Sequence, residues 1–212
     1  MPSLRQLLAA HAPLLVLDAA SARVQVGWLA ADGAARWETA DEEAGIGVFR
    51  GVENLRVNVH AAGAWVFCEG PGSVLGVRTV AMALRTWSVI APRPVFAYQS
   101  LALVAHALAR PGVAVISDAR RDAWNHFHLG GKLRRVPTAE LTGELVTPNH
   151  FRNWTPLPAG VTTVHYSLAE LFPRVAEAEL FHVVSEPDAF LHEEPSYVTW
   201  SPKIHRAPSP RH

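Results

Sequence analysis

The segment Gly70–Leu84, with the sequence GPGSVLGVRTVAMAL, constrains the fold of this chain more than any other segment. It follows an apolar run at 64–68 that is typical of a buried strand. Gly70 and Gly72 can adopt positive φ, and Ser73 is a favourable N-cap residue for a helix. The segment therefore predicts a buried strand, a tight turn and a helix in immediate succession.

Two interpretations of this turn remain open from the sequence. A helix N-terminus presented by a glycine-rich turn can bind an anion such as phosphate. Such turns are also common as purely architectural connections, and the spacing here matches neither a P-loop nor a dinucleotide fingerprint. In both interpretations the structural turn consists of Gly70, Pro71, Gly72 and Gly76.

The composition bears on partners and on the cellular compartment. The 212 residues are 49% hydrophobic and carry 19 basic and 19 acidic side chains, so no strong field attracts nucleic acid unaided. If the protein acts on RNA, we therefore expect it to do so through a partner protein. The single cysteine, Cys68, cannot form an intrachain disulfide, which favours a reducing, cytoplasmic compartment. Its apolar neighbours favour packing over nucleophilic chemistry.

The N-terminal stretch 4–20 superficially resembles a signal peptide. Its basic region is Arg5 alone, and Pro13 and Asp18 interrupt the apolar run. We therefore expect a short helix at 3–11 and a buried strand at 14–17. No apolar run reaches the length of about 18 residues that a transmembrane helix needs, so we expect no membrane span.

Periodicity and turn signals predict strands and helices in mixed order. Asp32-Gly33 is a hairpin signal, and Pro111-Gly112 marks a lobe boundary. The simplest arrangement is a mixed sheet with helices packed on it, followed by a loop at 137–158 and a disordered C-terminal end. We expect helices at 41–54, 75–90, 100–110 and 168–181, and strands at 24–28, 35–39, 64–68, 95–98, 113–119, 123–130, 132–136, 161–166 and 196–200.

These pieces, in this order, resemble the TsaB (YeaZ) family, the scaffold proteins of bacterial tRNA threonylcarbamoyladenosine synthesis. The family's Gly-Pro-Gly-Ser-Phe-Thr-Gly-Leu-Arg turn is similar to Gly70–Arg78, and its Asp-Ala-Arg-Arg signature stands intact at Asp118–Arg121. Its Ser-Ser-Leu stretch is similar to 99–101, and its C-terminal Pro-x-Tyr-hydrophobic-Arg stretch is similar to 195–199. The resemblance therefore extends over most of the chain.

The chain departs from the family pattern in three motifs, and its first twelve or so residues have no counterpart in the family. The family's Asp-Thr-Ser is Asp18-Ala19-Ala20 here, its His-Ser-Glu stretch is replaced by 45–48, and its Phe-Thr is Val74-Leu75. Actin-like enzymes place an Asp at the end of the first strand and a glycine-bearing hairpin after it, which lets phosphate approach the backbone. Asp18 is present but no glycine follows it, so we expect a structural rather than a catalytic role for Asp18.

The resemblance implies an α/β fold that is two-lobed and actin-like (Hsp70-like, ribonuclease H-like), with mixed sheets and flanking helices. Residues 1–110 would form the lobe with the dimerisation helices, and residues 111–212 a smaller lobe with a flexible tail. The implied role is a non-catalytic scaffold subunit that binds and activates TsaD, the paralogue that transfers the threonylcarbamoyl group, with the ATPase TsaE joining the pair. A homodimer in isolation, indirect contact with tRNA and no cofactor bound alone are expected, with ATP or ADP restricted to the complex interface.

The interface helices carried over from the resemblance are 43–55 and 75–90. On the second of these, one apolar face carries Val77, Val80, Ala81 and Leu84 at i, i+3, i+4 and i+7, and we expect a partner to bury it. The individual residues expected at the interface are Val48, Val52, Leu55, Ser73, Leu75, Arg78, Thr79, Met82 and Arg85.

A second set of candidate residues is charged. Arg120 and Arg121 stand between two predicted strands beside Asp118 and Asp122. They form either a salt-bridged turn or an anion or interface contact, because guanidinium groups suit phosphate and carboxylate. Asp18 belongs to the same set of candidate anion or interface residues.

Histidines and tryptophans suggest further sites that we judge weak. His126 and His128 would point to one face of a strand, but a zinc site needs three or four donors, so we expect no metal. The seven tryptophans are expected to be core and interface anchors rather than base-stacking platforms, because the sequence shows no basic groove.

Two rival functions remain beside the scaffold role. A stand-alone actin-like, ATP-dependent transferase would bind ATP as an isolated chain. A diverged homodimer without a tRNA role is favoured by the departures at 19–20 and 45–48.

Overall fold

The computed structural model describes residues 1–190. This part of the chain contains five α-helices, eleven strands and two 3-10 helices, at Val59–Ala61 and Thr138–Glu140. The helices are α1 (Leu4–His11), α2 (Ala44–Leu55), α3 (Val74–Ile90), α4 (Ser100–Leu108) and α5 (Leu168–Arg174). The strands are β1 (Leu14–Asp18), β2 (Val24–Leu29), β3 (Ala35–Ala40), β4 (Ala64–Gly70), β5 (Val95–Gln99), β6 (Val113–Asp118), β7 (Ala123–His128), β8 (Arg134–Pro137), β9 (Glu144–Pro148), β10 (Thr162–Val164) and β11 (His182–Val183).

The strands form two sheets that follow the same plan. The first has the order β11-β5-β4-β1-β2-β3, in which β1 to β3 form an antiparallel meander and β4 and β5 continue it in parallel. The second has the order β10-β9-β6-β7-β8, with an antiparallel meander from β6 to β8 and parallel β9 and β10. A three-stranded meander followed by two parallel strands therefore occurs twice in the chain.

The continuous apolar runs form the centre of the first sheet. All five residues of β1 are buried, and the fully buried Trp65 and Phe67 lie beside them on β4. Central parallel strands are covered on both faces, which explains why these runs do not alternate with polar residues. Cys68 is buried in the same strand, so the prediction that it packs in the core is confirmed.

Two short strands were not predicted. β9 lies within the expected loop at 137–158, and β11 pairs with β5, so the chain returns to the first sheet after leaving the second. The main hydrophobic core also includes Val113 and Phe127 of the second sheet.

The boundary at residue 110 stays a prediction, and the stretches expected at 195–200 lie outside the described residues. No helix within 1–190 has the length and apolar character needed to cross a membrane.

Candidate functional site

The glycine-rich turn is filled by the backbone that follows β1. Ser73 N–H donates to the Ala20 carbonyl oxygen at 2.7 Å. A Cβ atom on Gly72 would lie 2.2 Å from that oxygen, and one on Gly76 would lie 2.1 Å from the Ala19 carbonyl oxygen. Two electronegative oxygens therefore lie against the first turn of α3, where a phosphate would have to bind. The architectural interpretation of the turn is the one that fits.

The predicted N-cap of α3 is confirmed, because Ser73 Oγ accepts a hydrogen bond from Gly76 N–H at 3.2 Å. The turn is also tied to the next helix, since the Ser100 hydroxyl donates to the Pro71 carbonyl at 2.6 Å. Ser100 is the first residue of α4, and Gln99 is its N-cap. The turn between β4 and α3 is therefore also fixed to α4 through the Pro71 carbonyl.

Asp18 is fully buried at the end of β1 and bound by three donors. The hydroxyls of Tyr98 and Tyr166 each donate to Oδ2 at 2.6 Å, and Ala20 N–H donates to Oδ1 at 2.9 Å. Burial raises the pKa of Asp18, and these hydrogen bonds oppose the rise only in part. The expected structural role fits this geometry. The assignment of Asp18 as an anion or interface contact is wrong, because the side chain does not reach solvent.

The partners of Asp18 join the two sheets. Tyr98 belongs to β5 of the first sheet, whereas Tyr166 follows β10 of the second. Gln25 of β2 reinforces this link by accepting from Leu168 N–H at 2.8 Å and donating to the Tyr166 carbonyl at 3.4 Å. Hydrogen bonds therefore join the two sheets at the carboxyl end of β1, the place where actin-like enzymes bind phosphate.

Asp118 organises backbone rather than pairing with the arginines. Its Oδ1 accepts from Arg120 N–H at 2.5 Å, and its Oδ2 accepts from Trp154 N–H and Thr155 N–H at 2.7 Å and 2.6 Å. Within residues 1–190 no ion pair joins Asp118 to Arg120 or Arg121, so the expected salt-bridged turn is wrong. Both arginine side chains are exposed.

The α3 face that the sequence assigned to a partner is buried inside the monomer. Val77, Val80, Ala81 and Leu84 are at most 2% exposed because this face packs on β4 and β1. The prediction was therefore wrong. Helical spacing identifies an apolar face but does not say which element covers it.

A different part of α3 is apolar and exposed. Leu75, Met82 and Val89 recur at seven-residue spacing and are 78%, 57% and 86% exposed. Across from them, the Phe49 ring of α2 lies 6.2 Å from the Trp87 ring in an edge-to-face arrangement. The two helices form a groove of about 400 Å³, the α2–α3 groove, lined by Phe49, Leu75, Arg78, Thr79, Met82, Ala83, Thr86 and Trp87.

The predicted interface residues divide by their exposure. Val48 and Leu55 are buried under α2, which packs on β2 and β3, so their assignment to a partner contact is wrong. Val52 is half-buried. The sequence analysis missed Phe49 and Trp87, although the spacing of the exposed α3 residues signals a second apolar stripe. The remaining predicted interface residues line the groove or are exposed on α3 and its N-cap: Ser73, Leu75, Arg78, Thr79, Met82 and Arg85.

The C-terminal part of the described chain contacts α3. Arg85 Nε donates to the Pro187 carbonyl at 2.7 Å, and Arg78 and Arg85 lie 3.5 Å and 3.8 Å from the Asp188 carboxylate. These side chains are about half exposed, so the ion pairs are weak. The two arginines expected at the interface therefore already have an acidic neighbour in the monomer.

The histidine pair on β7 offers only two donors. The rings of His126 and His128 lie 6.1 Å apart between centroids. Burial lowers the pKa of His126, and the nearby positive charge of Arg134 adds to this effect. In the described part of the chain, no three His, Cys, Asp or Glu side chains are placed to hold a metal ion together.

The His182–Glu69 contact predicts a pH-dependent attachment of β11. The Nε2 and Oε2 atoms lie 3.2 Å apart, and this hydrogen bond raises the pKa of His182 above 6.5. The stabilisation is therefore complete below the unfolded pKa of 6.5 and is lost as pH rises through the folded value. We expect His182→Asn to lower the melting temperature more at about pH 5.5 than at about pH 8.5. An equal loss at both pH values would contradict the ion pair.

Two solved structures are similar to this chain over most of its fold. YeaZ from Pseudomonas aeruginosa is 24% identical, covers 64% of this chain and 74% of its own, and superposes with a TM-score of 0.53. A second structure, described as an uncharacterized protein with similarity to peptidase YeaZ from Pseudomonas aeruginosa, is 20% identical, covers 87% and 98% of the two chains and has a TM-score of 0.55. No protein-family profile and no curated protein matches the sequence.

These likenesses establish the fold. The chain is an α/β protein with the actin-like, two-lobed architecture of YeaZ, as expected from the resemblance in sequence. The repeated sheet plan is the internal sign of that architecture.

Proposed function

We propose that this chain is a non-catalytic scaffold subunit of the TsaB (YeaZ) type, which pairs through the α2–α3 groove with TsaD and so supports tRNA threonylcarbamoyladenosine formation. The observation that carries the proposal is the exposed apolar surface on these two helices. Clustered exposed apolar side chains on a protein surface mark interaction sites. A cytoplasmic location, a homodimer in isolation, the joining of TsaE and a nucleotide at the complex interface belong to the same proposal.

The carboxyl end of β1 argues against a stand-alone transferase. Carbonyl oxygens of Ala19 and Ala20 lie against the turn that would otherwise cradle phosphate. Asp18 is held by two tyrosine hydroxyls and has no exposed surface. A nucleotide would have to displace these contacts before it could bind.

Met82→Asp tests the proposal because it places a charge in the middle of the groove without touching the core. Loss of a central interface contact costs about 2 kcal/mol or more, so we expect the affinity for the TsaD of the same organism to fall about 30-fold or more. The measurement is size-exclusion chromatography and calorimetry with the two purified proteins at micromolar concentration. Leu157→Asp is the matched control, since Leu157 is 41% exposed but lies in the second lobe, outside the groove.

The outcomes separate the candidate functions. Separate elution of wild-type chain and TsaD rejects the scaffold role, whatever Met82→Asp does. If only the homodimer forms and Met82→Asp dissociates it, the chain is a diverged homodimer without the TsaD partnership. If Leu157→Asp weakens binding as much as Met82→Asp, the partner does not use the groove.

A further inference from the structure

A cluster of arginines and one tryptophan lies on the second lobe, away from the α2–α3 groove. Trp154 is 59% exposed, and the guanidinium carbons of Arg120 and Arg152 lie 4.9 Å and 5.3 Å from the centroid of its ring. Arg135 joins them, because its Nη2 donates to the Arg120 carbonyl at 3.0 Å. We call Arg120, Arg135, Arg152 and Trp154 the Arg–Trp cluster.

The backbone that presents this cluster is strained. Arg120, Arg121 and Asp122 have φ of 61°, 53° and 54°, three consecutive left-handed residues without a glycine. Such conformations are unfavourable for residues that carry a side chain and persist only where other contacts fix them. The Asp118 carboxylate supplies those contacts by holding Arg120 N–H and the backbone of Trp154 together. Strain retained in a fixed turn is a common property of binding sites.

The acidic groups near the cluster do not neutralise it by pairing. Asp118 accepts three backbone N–H groups, and Asp122 Oδ1 accepts from the Thr138 hydroxyl at 2.6 Å. Within residues 1–190, neither Arg120 nor Arg152 has a carboxylate within ion-pair distance. With Arg121, four guanidinium groups stand against two engaged carboxylates, so the local charge is positive although the whole chain is neutral.

We infer that the Arg–Trp cluster binds a single-stranded nucleic acid segment, with its arginines on phosphates and a base stacked on the exposed aromatic and guanidinium surfaces. A cation held over an aromatic ring is pre-positioned and keeps its N–H donors for a second partner. Phosphates with unpaired bases satisfy both the charge and the exposed indole, whereas an acidic peptide satisfies only the charge. Trp154 is thus an exception to the expectation that the tryptophans serve only as core and interface anchors.

This inference does not rest on the proposed function, in which tRNA is reached only through partners. It is tested on the isolated full chain by fluorescence anisotropy, with labelled uridine oligonucleotides of about 12 residues in an RNA arm and a matching DNA arm. We expect Trp154→Ala to weaken binding about 10-fold, and Arg120→Ala and Arg152→Ala each to reduce the salt slope by about 0.7. Trp154→Leu keeps an apolar side chain without an aromatic face and should behave like Trp154→Ala.

Arg174→Ala is the matched control, because Arg174 is an exposed arginine at the end of α5 and its loss removes the same charge. It should leave the affinity within about twofold of wild type. Circular dichroism confirms that each variant is folded. No binding by the wild-type chain overturns the inference, as does equal weakening by Arg174→Ala and Arg120→Ala. Displacement of the oligonucleotide by polyglutamate at the same charge concentration also overturns it, since the cluster would then be a peptide site. Equal binding in the RNA and DNA arms supports the inference and shows that the cluster does not read the 2′-hydroxyl.

Discussion

Gly76→Ala is expected to lower the free energy of unfolding by about 3 kcal/mol, a large part of the 5 to 15 kcal/mol of an ordinary domain. The added Cβ would lie 2.1 Å from the Ala19 carbonyl oxygen, and that oxygen belongs to backbone rather than to a side chain that can rotate away. Either the loop after β1 or the first turn of α3 must move. Because Ser73 N–H is bonded to Ala20, the movement also breaks the contact that seats α3. The measurement is urea unfolding followed by circular dichroism.

Gly45→Ala is the matched control for this prediction. Gly45 lies in the first turn of α2, is exposed, and an added Cβ there meets no atom within 4 Å. We expect the substitution to stabilise the protein by about 0.5 to 1 kcal/mol, since alanine is the better helix former. A Gly76→Ala variant as stable as wild type would mean that the turn has room for another group, and the case against a phosphate site would fail.

Local signals gave the glycine-rich turn and its helix correctly from the sequence. The Ser73 cap, the bounds of α3 and the buried β4 all depend on residues close together in the chain. What fills the turn was not predictable, because Ala19 and Ala20 approach it only through the parallel pairing of β1 with β4. The same sequence pattern would fit an open phosphate loop if a glycine-bearing hairpin stood in their place.

The interface prediction failed for a similar reason. α3 has two apolar stripes, and the stripe with the better helical spacing, which includes Val77 and Leu84, is the one that the first sheet covers. The exposed stripe, with Leu75 and Met82, has only one apolar residue every seven positions and has polar residues beside it. Choosing between the stripes requires knowing on which side of the helix the sheet lies, and no local pattern contains that information.

In the second lobe, the sequence did not predict which groups come together. The Asp118–Arg121 signature was visible, but two of the three partners of Asp118 are backbone groups of a loop that follows β9. That loop was expected to be featureless, and β9 was not predicted at all. Trp154 therefore had no apparent link to Arg120 until both were placed against the same turn.

Besides Gly76, the buried Asp18 is the position where we expect a substitution to lower the free energy of unfolding most. Its two tyrosine partners lie 80 and 148 residues away in sequence, so Asp18→Ala disconnects groups that tertiary folding alone brings together. Removing the acceptor leaves two buried hydroxyls and the Ala20 N–H without it, at about 1 to 3 kcal/mol each. We expect a total loss of about 3 to 5 kcal/mol in urea unfolding. Asp32→Ala is the matched control, because Asp32 is exposed and makes one turn hydrogen bond, and it should cost less than about 1 kcal/mol.

Asp18→Asn separates the role of the charge from that of the shape. Because burial raises the pKa of Asp18 above 3.8, the wild-type carboxyl contributes most to stability below pH 3.8, and this contribution is lost as pH rises through the folded value. The neutral amide does not titrate, so its disadvantage relative to wild type should shrink between about pH 4 and about pH 7. A disadvantage that grew with pH would mean that the protein is stabilised by the carboxylate ion. Asp18 would then be held as a charged group, and the conclusion that burial favours its neutral form would be wrong.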